Sequence, residues 1–497
     1  MFEFMPTSQE SIKRLVENTS LTVAVLYPEL KRDIAVFKSC GDGTSPLLRM
    51  VAELRMDSRF ILLNLCSSLR ALLSAIRAIE KRYFIATIDA ELLEDYKLLH
   101  GFGKIRKYSI WTRIGNELTI GDECDSLLGA YNLITQQLET IAWTEQNRDG
   151  RNLTYHYDDN MSKVYRHLID TNDEDALIRK ANSFMNVIFQ MLFFCDSVEF
   201  LEAINGRRLS EIKEVGYKPQ ILHELLANRF NENKKLSYAL EYAINHTPEI
   251  DATYRTKERM TELESLLQKV SSEVETHELG KVQELSNIQL LLQIALSGFA
   301  IVVRGYLNSV SEYEYPLALR HLTITRVSTL SHLYGYDKQE REKSLWMTLK
   351  NKILNSDELF QVSAYEIDLE LESLVDSSDK DDRSLYVHLS GKKMKSNIPN
   401  IVERLESINP VAEIRKTEAL IRAFTKVRRF LHKLIEHTVN EYNKKTSSRN
   451  ATLLSQIQSI REMVNRSKGL SESVKREFDS EMNRLVQVIQ DTSVMAK

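Results

Sequence analysis

The sequence predicts an all-α protein on three observations. Glycine and proline are scarce, with 16 and 8 among 497 residues, and no proline occurs between Pro46 and Pro219. Such a chain favours long helices over turn-rich architectures. Good helix formers dominate the composition, and no segment alternates apolar and polar residues as a half-buried strand does. The 43% hydrophobic content is enough to form buried cores.

Breaks in the helical pattern divide the chain into five predicted parts. These are an N-terminal lead-in (1–46), a first helical bundle (47–206), a helical connector (207–286), a second helical bundle (287–440) and a C-terminal helical hairpin (441–497). Apolar spacing predicts helices over Leu47–Lys81, Asp89–Leu99, Asp125–Glu145, Asp175–Ala203 and Val411–Glu441, and over Ala451–Arg466 and Ser471–Val494 in the hairpin.

Composition also limits the class of protein. The formal net charge is −4, so broad electrostatic attachment to nucleic acid is not expected, and RNA contacts should be confined to a cleft. The N-terminus lacks a signal-peptide pattern, and the most apolar segments, Ile288–Val303 and Met185–Cys195, are shorter than the ~20 residues of a membrane span. We therefore expect a cytoplasmic protein without a membrane partner. The cysteines lack CxxC spacing and fit reduced thiols: Cys40, Cys66, Cys124 and Cys195.

Most cofactor and metal motifs are absent from the sequence. It contains no GxxxxGK[ST] loop, no GxGxxG after a strand, no HExxH and no Cys/His cluster with zinc spacing. We therefore expect no cofactor and no metal site.

Two nine-residue stretches match each other across the chain, RDGRNLTYH (148–156) and KDDRSLYVH (380–388). Each places an arginine five residues before a histidine. A guanidinium can hold a phosphate while an imidazole transfers protons near neutral pH, so the pair suits phosphodiester chemistry. Chance alone should give on the order of one such spacing, but the flanking residues agree as well. A looser match, Arg326 with His332, lies in a helical segment, and we interpret it as a packing histidine.

The surroundings of the two motifs recur in the same order, which indicates an internal repeat of two diverged domains. The recurring features are the apolar runs that begin at Phe60 and Ile288, His100 and His332 near a glycine, Ser109 and Ser344, and Trp111 and Trp346.

These motifs in an all-helical setting resemble the HEPN superfamily, whose ribonuclease members carry Arg-x4–6-His, often with a polar residue after the arginine. Arg151, Asn152 and His156 match that pattern fully. Arg383 and His388 match it too, but Ser384 stands where Asn, Asp or His is more usual. The resemblance covers about two thirds of the chain and implies two tandem HEPN-like bundles.

The resemblance implies a metal-independent endoribonuclease whose two motifs form one composite site. Both histidines, His156 and His388, would exchange protons with the ribose 2′-hydroxyl and the leaving oxygen, and Arg151 and Arg383 would hold the phosphate. Asn152 and Ser384 would orient the imidazole or the phosphate. The expected products carry 2′,3′-cyclic phosphate and 5′-hydroxyl ends.

Family members of this type are toxins and anti-phage or abortive-infection effectors. The resemblance therefore implies an RNA substrate, and it allows a cognate regulator or antitoxin and a homo-oligomer as partners.

Two alternatives stay open at the level of sequence. One is a non-catalytic HEPN-like RNA-binding or regulatory module, and the other is a helical scaffold in which the motifs cap helix ends. Asp149 and Asp381 are candidate partners of the motif arginines or helix caps. The nearby tyrosines could stack on bases, although core packing is favoured: Tyr155, Tyr157 and Tyr386.

Overall fold

The computed structural model describes most of the chain outside the predicted connector. The described residues are 19–41, 43–118, 125–141, 148–157, 160–170, 173–210, 280–307, 314–356, 358–391, 394–466, 475–476, 479–480 and 482–487. Residues 211–279, which make up most of the predicted connector, therefore lie outside them.

The all-α prediction is confirmed. Within the described residues, the only β-type pairing is one isolated bridge between Ser390 and Ser396. The helices are α1 (Thr19–Ser39), α2 (Pro46–Leu73), α3 (Ala78–Leu99), α4 (Ile110–Leu118), α5 (Asp125–Ile141), α6 (Arg148–Tyr155), α7 (Met161–Asp170), α8 (Glu174–Ser210), α9 (Gly280–Leu307), α10 (Tyr315–Leu333), α11 (Lys338–Lys343), α12 (Leu345–Ser356), α13 (Gln361–Ser373), α14 (Ser377–Val387), α15 (Ile398–Ser407) and α16 (Pro410–Arg466), with 3₁₀ turns at Gly103–Tyr108 and Glu358–Phe360.

The chain divides into two compact units. The first comprises Met1–Lys352 and Asp368–Phe424, and the second comprises Ile353–Ile367 and Thr425–Lys497. Both Arg-x4-His motifs lie in the first unit. The predicted lead-in contributes helix α1 to that unit, and α1 packs on α2.

In the second unit, α16 differs from the prediction. We expected a helix to end at Glu441 and the polar run KKTSSRN to follow, but α16 continues through that run to Arg466. Local contacts support the continuation, since Lys444 pairs with Glu441 at 2.9 Å. Farther along, Arg461 contacts Asp479, which places part of the second predicted hairpin segment against α16.

The predicted helix Leu47–Lys81 is also interrupted. Helix α2 ends at Leu73 and α3 begins at Ala78. Glu80 accepts hydrogen bonds from the backbone N–H groups of Ile76 and Arg77, at 2.9 and 3.1 Å, and so satisfies the free donors of a helix start. Glu80, the third residue of α3, thus marks the start of a new helix through its side-chain hydrogen bonds. Apolar spacing alone did not reveal this boundary.

The predicted internal repeat is visible in the local geometry. Each half places a positive-φ glycine just after a helix, Gly101 (φ 67°) after α3 and Gly335 (φ 88°) after α10. Farther on, the Ser109 hydroxyl donates to the Arg106 carbonyl at 2.8 Å, and the Ser344 hydroxyl makes the same contact with Arg341 at 2.9 Å. The order of elements also matches, from α2–α8 in the first half to α9–α16 in the second, with the 3₁₀ turn Gly103–Tyr108 in the place of α11.

The structure corrects one detail of the predicted repeat. Helices α3 and α10 end at Leu99 and Leu333, so His100 corresponds to Tyr334 and not to His332. The two histidines therefore hold different places in the fold. The tryptophans do correspond, and both Trp111 and Trp346 are fully buried.

The two repeats pack against each other reciprocally in the first unit. Helix α9 contacts α3 and α7, while its counterpart α2 contacts α10 and α15, and α2 also contacts α9. Reciprocal contacts of this kind are those of a twofold-symmetric interface, here formed within one chain. The motif helices take part in this packing through their neighbours. Helix α6 packs on α3 and α14 packs on α10, and α3 and α10 each contact a helix of the other repeat.

Replacement of Gly335 by alanine is expected to destabilise the protein. A Cβ at Gly335 would collide with the backbone of Arg341, and its φ of 88° is a conformation that L-residues rarely adopt. We expect the free energy of unfolding, measured by denaturant titration, to fall by about 1–3 kcal/mol. Gly129→Ala in α5 is the control, since a Cβ there meets nothing within 4 Å, and it should stabilise the helix by about 0.5–1 kcal/mol. Equal stability of the two variants would contradict the assigned glycine turn.

Candidate functional site

The first motif forms a helix. Residues Arg148–Tyr155 form α6, with Asp149 in the first turn, where a negative charge is favoured. His156 follows the last helical residue, and its N–H donates to the carbonyl of Asn152 at 2.9 Å. His156 therefore stands at a helix end, where part of the residue is exposed to solvent.

The second motif has the same construction. Helix α14 begins after Asp376, whose side chain accepts from the Ser378 N–H, and His388 is the residue that caps its end. The His388 carbonyl accepts a hydrogen bond from the Asn397 side-chain amide at 2.9 Å, which holds the segment after α14 in place. The imidazole of His388 is half-buried.

The structure brings the two motifs together. Arg383 Nη2 lies 3.2 Å from His156 Nδ1, and Arg151 Nη2 lies 3.4 Å from His388 Nδ1. Each arginine therefore contacts the histidine of the other motif. Arg151 Nη1 also lies 3.4 Å from Nε2 of its own histidine, His156. Residues more than two hundred positions apart thus form a single Arg–His cluster.

The two arginines are held by different residues at equivalent positions. Arg151 Nε lies 3.1 Å from Glu94 Oε1, whereas Arg383 Nε donates to the Ser328 hydroxyl at 3.2 Å. Glu94 and Ser328 stand the same number of residues before the ends of α3 and α10. The duplicated site is therefore symmetric in the Arg–His contacts between the two motifs. It is asymmetric in charge, because only Arg151 has a carboxylate beside it.

Burial strengthens this asymmetry. Glu94 and Arg151 are 6% and 8% exposed, so the ion pair is shielded from water. No ion pair to a carboxylate is present for Arg383 among the described residues, and its Nη2 instead donates to the Tyr155 carbonyl at 2.6 Å, at the end of α6. The positive charge of Arg383 is consequently free to attract an anion.

The surroundings of both imidazoles shift their pKa values downwards. Desolvation lowers the pKa of His156 to about 4, with the charges of Arg383 and Arg151 acting in the same direction. Desolvation also lowers the pKa of His388, but the carboxylate of Glu94 opposes the shift. A neutral imidazole accepts a hydrogen bond at one nitrogen only, so the shorter contact, from Arg383, is the better candidate for a true hydrogen bond to His156.

The other predicted residues lie close to this cluster. The Asn152 side-chain oxygen accepts from Arg151 Nη1 at 3.0 Å, so it orients the guanidinium. The Ser384 side chain is exposed, and its carbonyl accepts the His388 N–H at 3.1 Å. Core packing is confirmed for the three tyrosines, which are at most 8% exposed: Tyr155, Tyr157 and Tyr386.

Of the two interpretations left open for Asp149, the structure favours the helix-end role, since Asp149 lies in the first turn of α6. Among the ion pairs of the described residues, the acid that pairs with Arg151 is Glu94 on α3, not Asp149. Sequence spacing gave no signal for Glu94, because it lies on a separate helix far upstream of the motif. The looser match, Arg326 with His332, does behave as packing, since Arg326 is buried in ion pairs with Asp379 and Glu413 and His332 stands edge-on to Tyr157.

A cavity of about 350 Å³ opens beside the cluster on the side of the second repeat. His156 and Arg383 are among its lining residues. The rest of its lining comes largely from α10, α11 and α14 and includes Ser328, Ser331, His332, Tyr336, Glu340 and Lys380. A ligand in this cavity would therefore touch the Arg–His cluster.

Comparisons with known protein families, curated proteins and solved structures find no match for this chain. In the part of the chain that the structure describes, no group of three or more His, Cys, Asp or Glu side chains could hold a metal ion. No helix among the described residues is long and apolar enough to cross a membrane.

Replacement of Glu94 by glutamine is expected to lower the pKa of His388. The Glu94 carboxylate favours the protonated imidazole, and glutamine keeps the shape but not the charge. The pKa of His156 should change less, because Glu94 is not among the charges that shift it. Titration of the two imidazoles by NMR in histidine-labelled protein measures both values. An unchanged His388 pKa would contradict the assigned role of Glu94.

Proposed function

We propose that this protein is a metal-independent endoribonuclease whose single active site is built from both Arg-x4-His motifs. The observation that carries the proposal is the reciprocal contact of each motif arginine with the other motif's histidine, at 3.2 and 3.4 Å. Two imidazoles and two guanidinium groups supply the base, acid and positive charge that cleavage by a ribose 2′-hydroxyl requires. The exposed face of His156 leaves this cluster open to a substrate.

In this proposal, Arg383 holds the scissile phosphate. Its guanidinium is oriented by Ser328 and the Tyr155 carbonyl, and it is not neutralised by a carboxylate. Guanidinium groups bind phosphate through paired hydrogen bonds and stabilise the charge that develops during the reaction. Arg151, paired with Glu94, instead fixes the positions of the two imidazoles.

The two histidines take different roles because their surroundings differ. His156 faces two guanidinium groups, which favour the neutral imidazole and therefore the base. His388 has Glu94 among the charges that act on it, which favours the protonated acid. When Arg383 turns from His156 Nδ1 to the phosphate, that nitrogen is freed and removes the 2′-hydroxyl proton. The 2′-oxygen then bonds to phosphorus, the P–O5′ bond breaks, and His388 protonates the 5′-oxygen. The products are a 2′,3′-cyclic phosphate and a 5′-hydroxyl.

The HEPN resemblance extends the proposal to biology. Two tandem HEPN-like bundles in one chain would act as a toxin or anti-phage effector that cleaves cellular RNA in the cytoplasm. A cognate regulator or antitoxin would restrain such an activity. The reciprocal packing of α2 and α9 supports only the tandem arrangement, since it joins both half-sites within one chain.

A second candidate is a non-catalytic HEPN-like RNA-binding or regulatory module. Two observations favour it. Ser384 stands where Asn, Asp or His is more usual, and the charge of Arg151 is satisfied by Glu94. A binding module would retain RNA affinity in His156→Ala. It would also show no cleavage in the unaltered protein.

His156→Ala and His388→Ala are each expected to reduce RNA cleavage by roughly 10²- to 10⁴-fold, because each removes one proton-transfer group. Total RNA and tRNA are incubated with purified protein in EDTA, and end groups are assigned on the products. His432→Ala is the matched control, since this histidine is 72% exposed on α16 and should cleave as the unaltered protein does. Full activity in either site variant, or products with 3′-hydroxyl ends, would refute the composite site.

The pH dependence of kcat/KM is expected to be bell-shaped, with an acidic optimum. A neutral His156 is present above its pKa of about 4, so activity should fall below that pH. A protonated His388 is present only below its own pKa, which lies under the usual 6.5, so activity should fall as pH rises through that value. Glu94→Gln should move the alkaline limb to lower pH. A rate that increases steadily up to pH 8 would contradict this assignment.

A further inference from the structure

The cavity beside the cluster has a polar lining that the fold itself does not require. At the equivalent positions of the first repeat, His332 is replaced by Leu98 and Tyr336 by Phe102, counted from the ends of α10 and α3. The same architecture is thus compatible with apolar side chains at both places. Their replacements in the second repeat therefore place polar atoms in the cavity wall that the first repeat lacks at these positions.

The lining offers both donors and acceptors. Glu340 accepts from the Ser331 hydroxyl at 3.0 Å and lies 2.6 Å from Lys380 Nζ, so acidic, basic and hydroxyl groups meet in one wall. Tyr336 lines the cavity as well, and its hydroxyl is buried without a hydrogen-bond partner. Buried polar groups without partners are rare in proteins, and a bound ligand or water is one way to satisfy them. The edge of a nucleobase carries the matching mixture of donors and acceptors.

Size and position limit the occupant further. A volume of about 350 Å³ is near the lower end of the roughly 300–1,000 Å³ of small-molecule pockets and suits one nucleotide unit. Arg383 and His156 belong to the lining, so a phosphate attached to that unit can contact the Arg–His cluster. Lys343 also lines the cavity and adds positive charge, whereas Lys380 is paired with Glu340 and Asp337.

We propose that this cavity is a nucleoside subsite that holds the base and ribose on the 5′ side of the scissile phosphate. The proposal rests on the proposed ribonuclease function for its orientation. His156, the group that lines the cavity, is the base in that mechanism, and the base must reach the 2′-hydroxyl of the nucleotide on the 5′ side of the cleaved bond. The enzyme should therefore select the base that ends in the cyclic phosphate.

The test compares the unaltered protein with the double variant His332→Leu, Tyr336→Phe, which introduces the residues found in the first repeat. The single variant Tyr336→Phe removes only one oxygen and guards against misfolding of the double variant. Tyr365→Phe is the control, because this tyrosine is 57% exposed. Two quantities are measured: the cleavage preference at each position in a randomised RNA pool, and the affinity for the four ribonucleoside 3′-monophosphates by calorimetry.

We expect a preference at the nucleotide that carries the cyclic phosphate, and binding of the matching monophosphate. The double variant should weaken that binding about tenfold and flatten the preference, while Tyr365→Phe changes neither. Cleavage with an unchanged preference and affinity in the double variant would overturn the subsite and leave the ribonuclease in place. Selective nucleotide binding that the variant loses, without cleavage of any RNA, would retain the subsite and refute the ribonuclease. Absence of both would refute both.

Discussion

A single buried guanidinium connects the two repeats behind the site. Arg320 on α10 is 2% exposed, and it donates to Asn64 on α2 at 2.6 Å and contacts Glu91 on α3 at 3.3 Å. Its Nη2 also donates to the Tyr386 carbonyl at 2.7 Å, at the end of α14. A buried positive charge must have all of its donors satisfied, so these contacts hold together or fail together. The end of α14, and with it His388, is therefore fixed relative to α2 and α3 of the other repeat.

The end of α6 is held in a comparable way by the other motif. Arg383 donates to the Tyr155 carbonyl, so a guanidinium satisfies a free carbonyl at the end of α6 as Arg320 does at the end of α14. Positive groups are favoured at helix C-termini, where the helix dipole is negative. The histidines that follow these helix ends are consequently positioned by helix termination itself. In both motifs, the arginine of Arg-x4-His lies in the last turns of a helix and the histidine is the first residue after it.

The meeting of the two motifs was expected from the resemblance of both to one family pattern, together with the internal repeat. Trp111 and Trp346, with Ser109 and Ser344, mark that repeat, and a unit that packs on its own copy relates equivalent residues by a twofold axis. The helix boundaries could not be read in the same way. The interruption between α2 and α3 depends on how Glu80 bonds the backbone, which apolar periodicity does not report. The roles of Glu94 and Ser328 were also inaccessible, because they arise from tertiary contacts between separate helices.

Glu94 and Ser328 occupy equivalent positions in the two repeats. The difference between them shows that internal duplication allows the two halves of one site to diverge. In a homodimer, one gene supplies both copies, so a carboxylate beside one arginine would stand beside both and would neutralise the charge that we propose binds phosphate. In a single chain, one copy can keep a carboxylate near Arg151 and His388 while the other holds Arg383 with a neutral hydroxyl. In-line cleavage needs two unlike proton-transfer groups at one phosphate. Divergence at this one pair of positions is sufficient to make the two chemically identical imidazoles unequal.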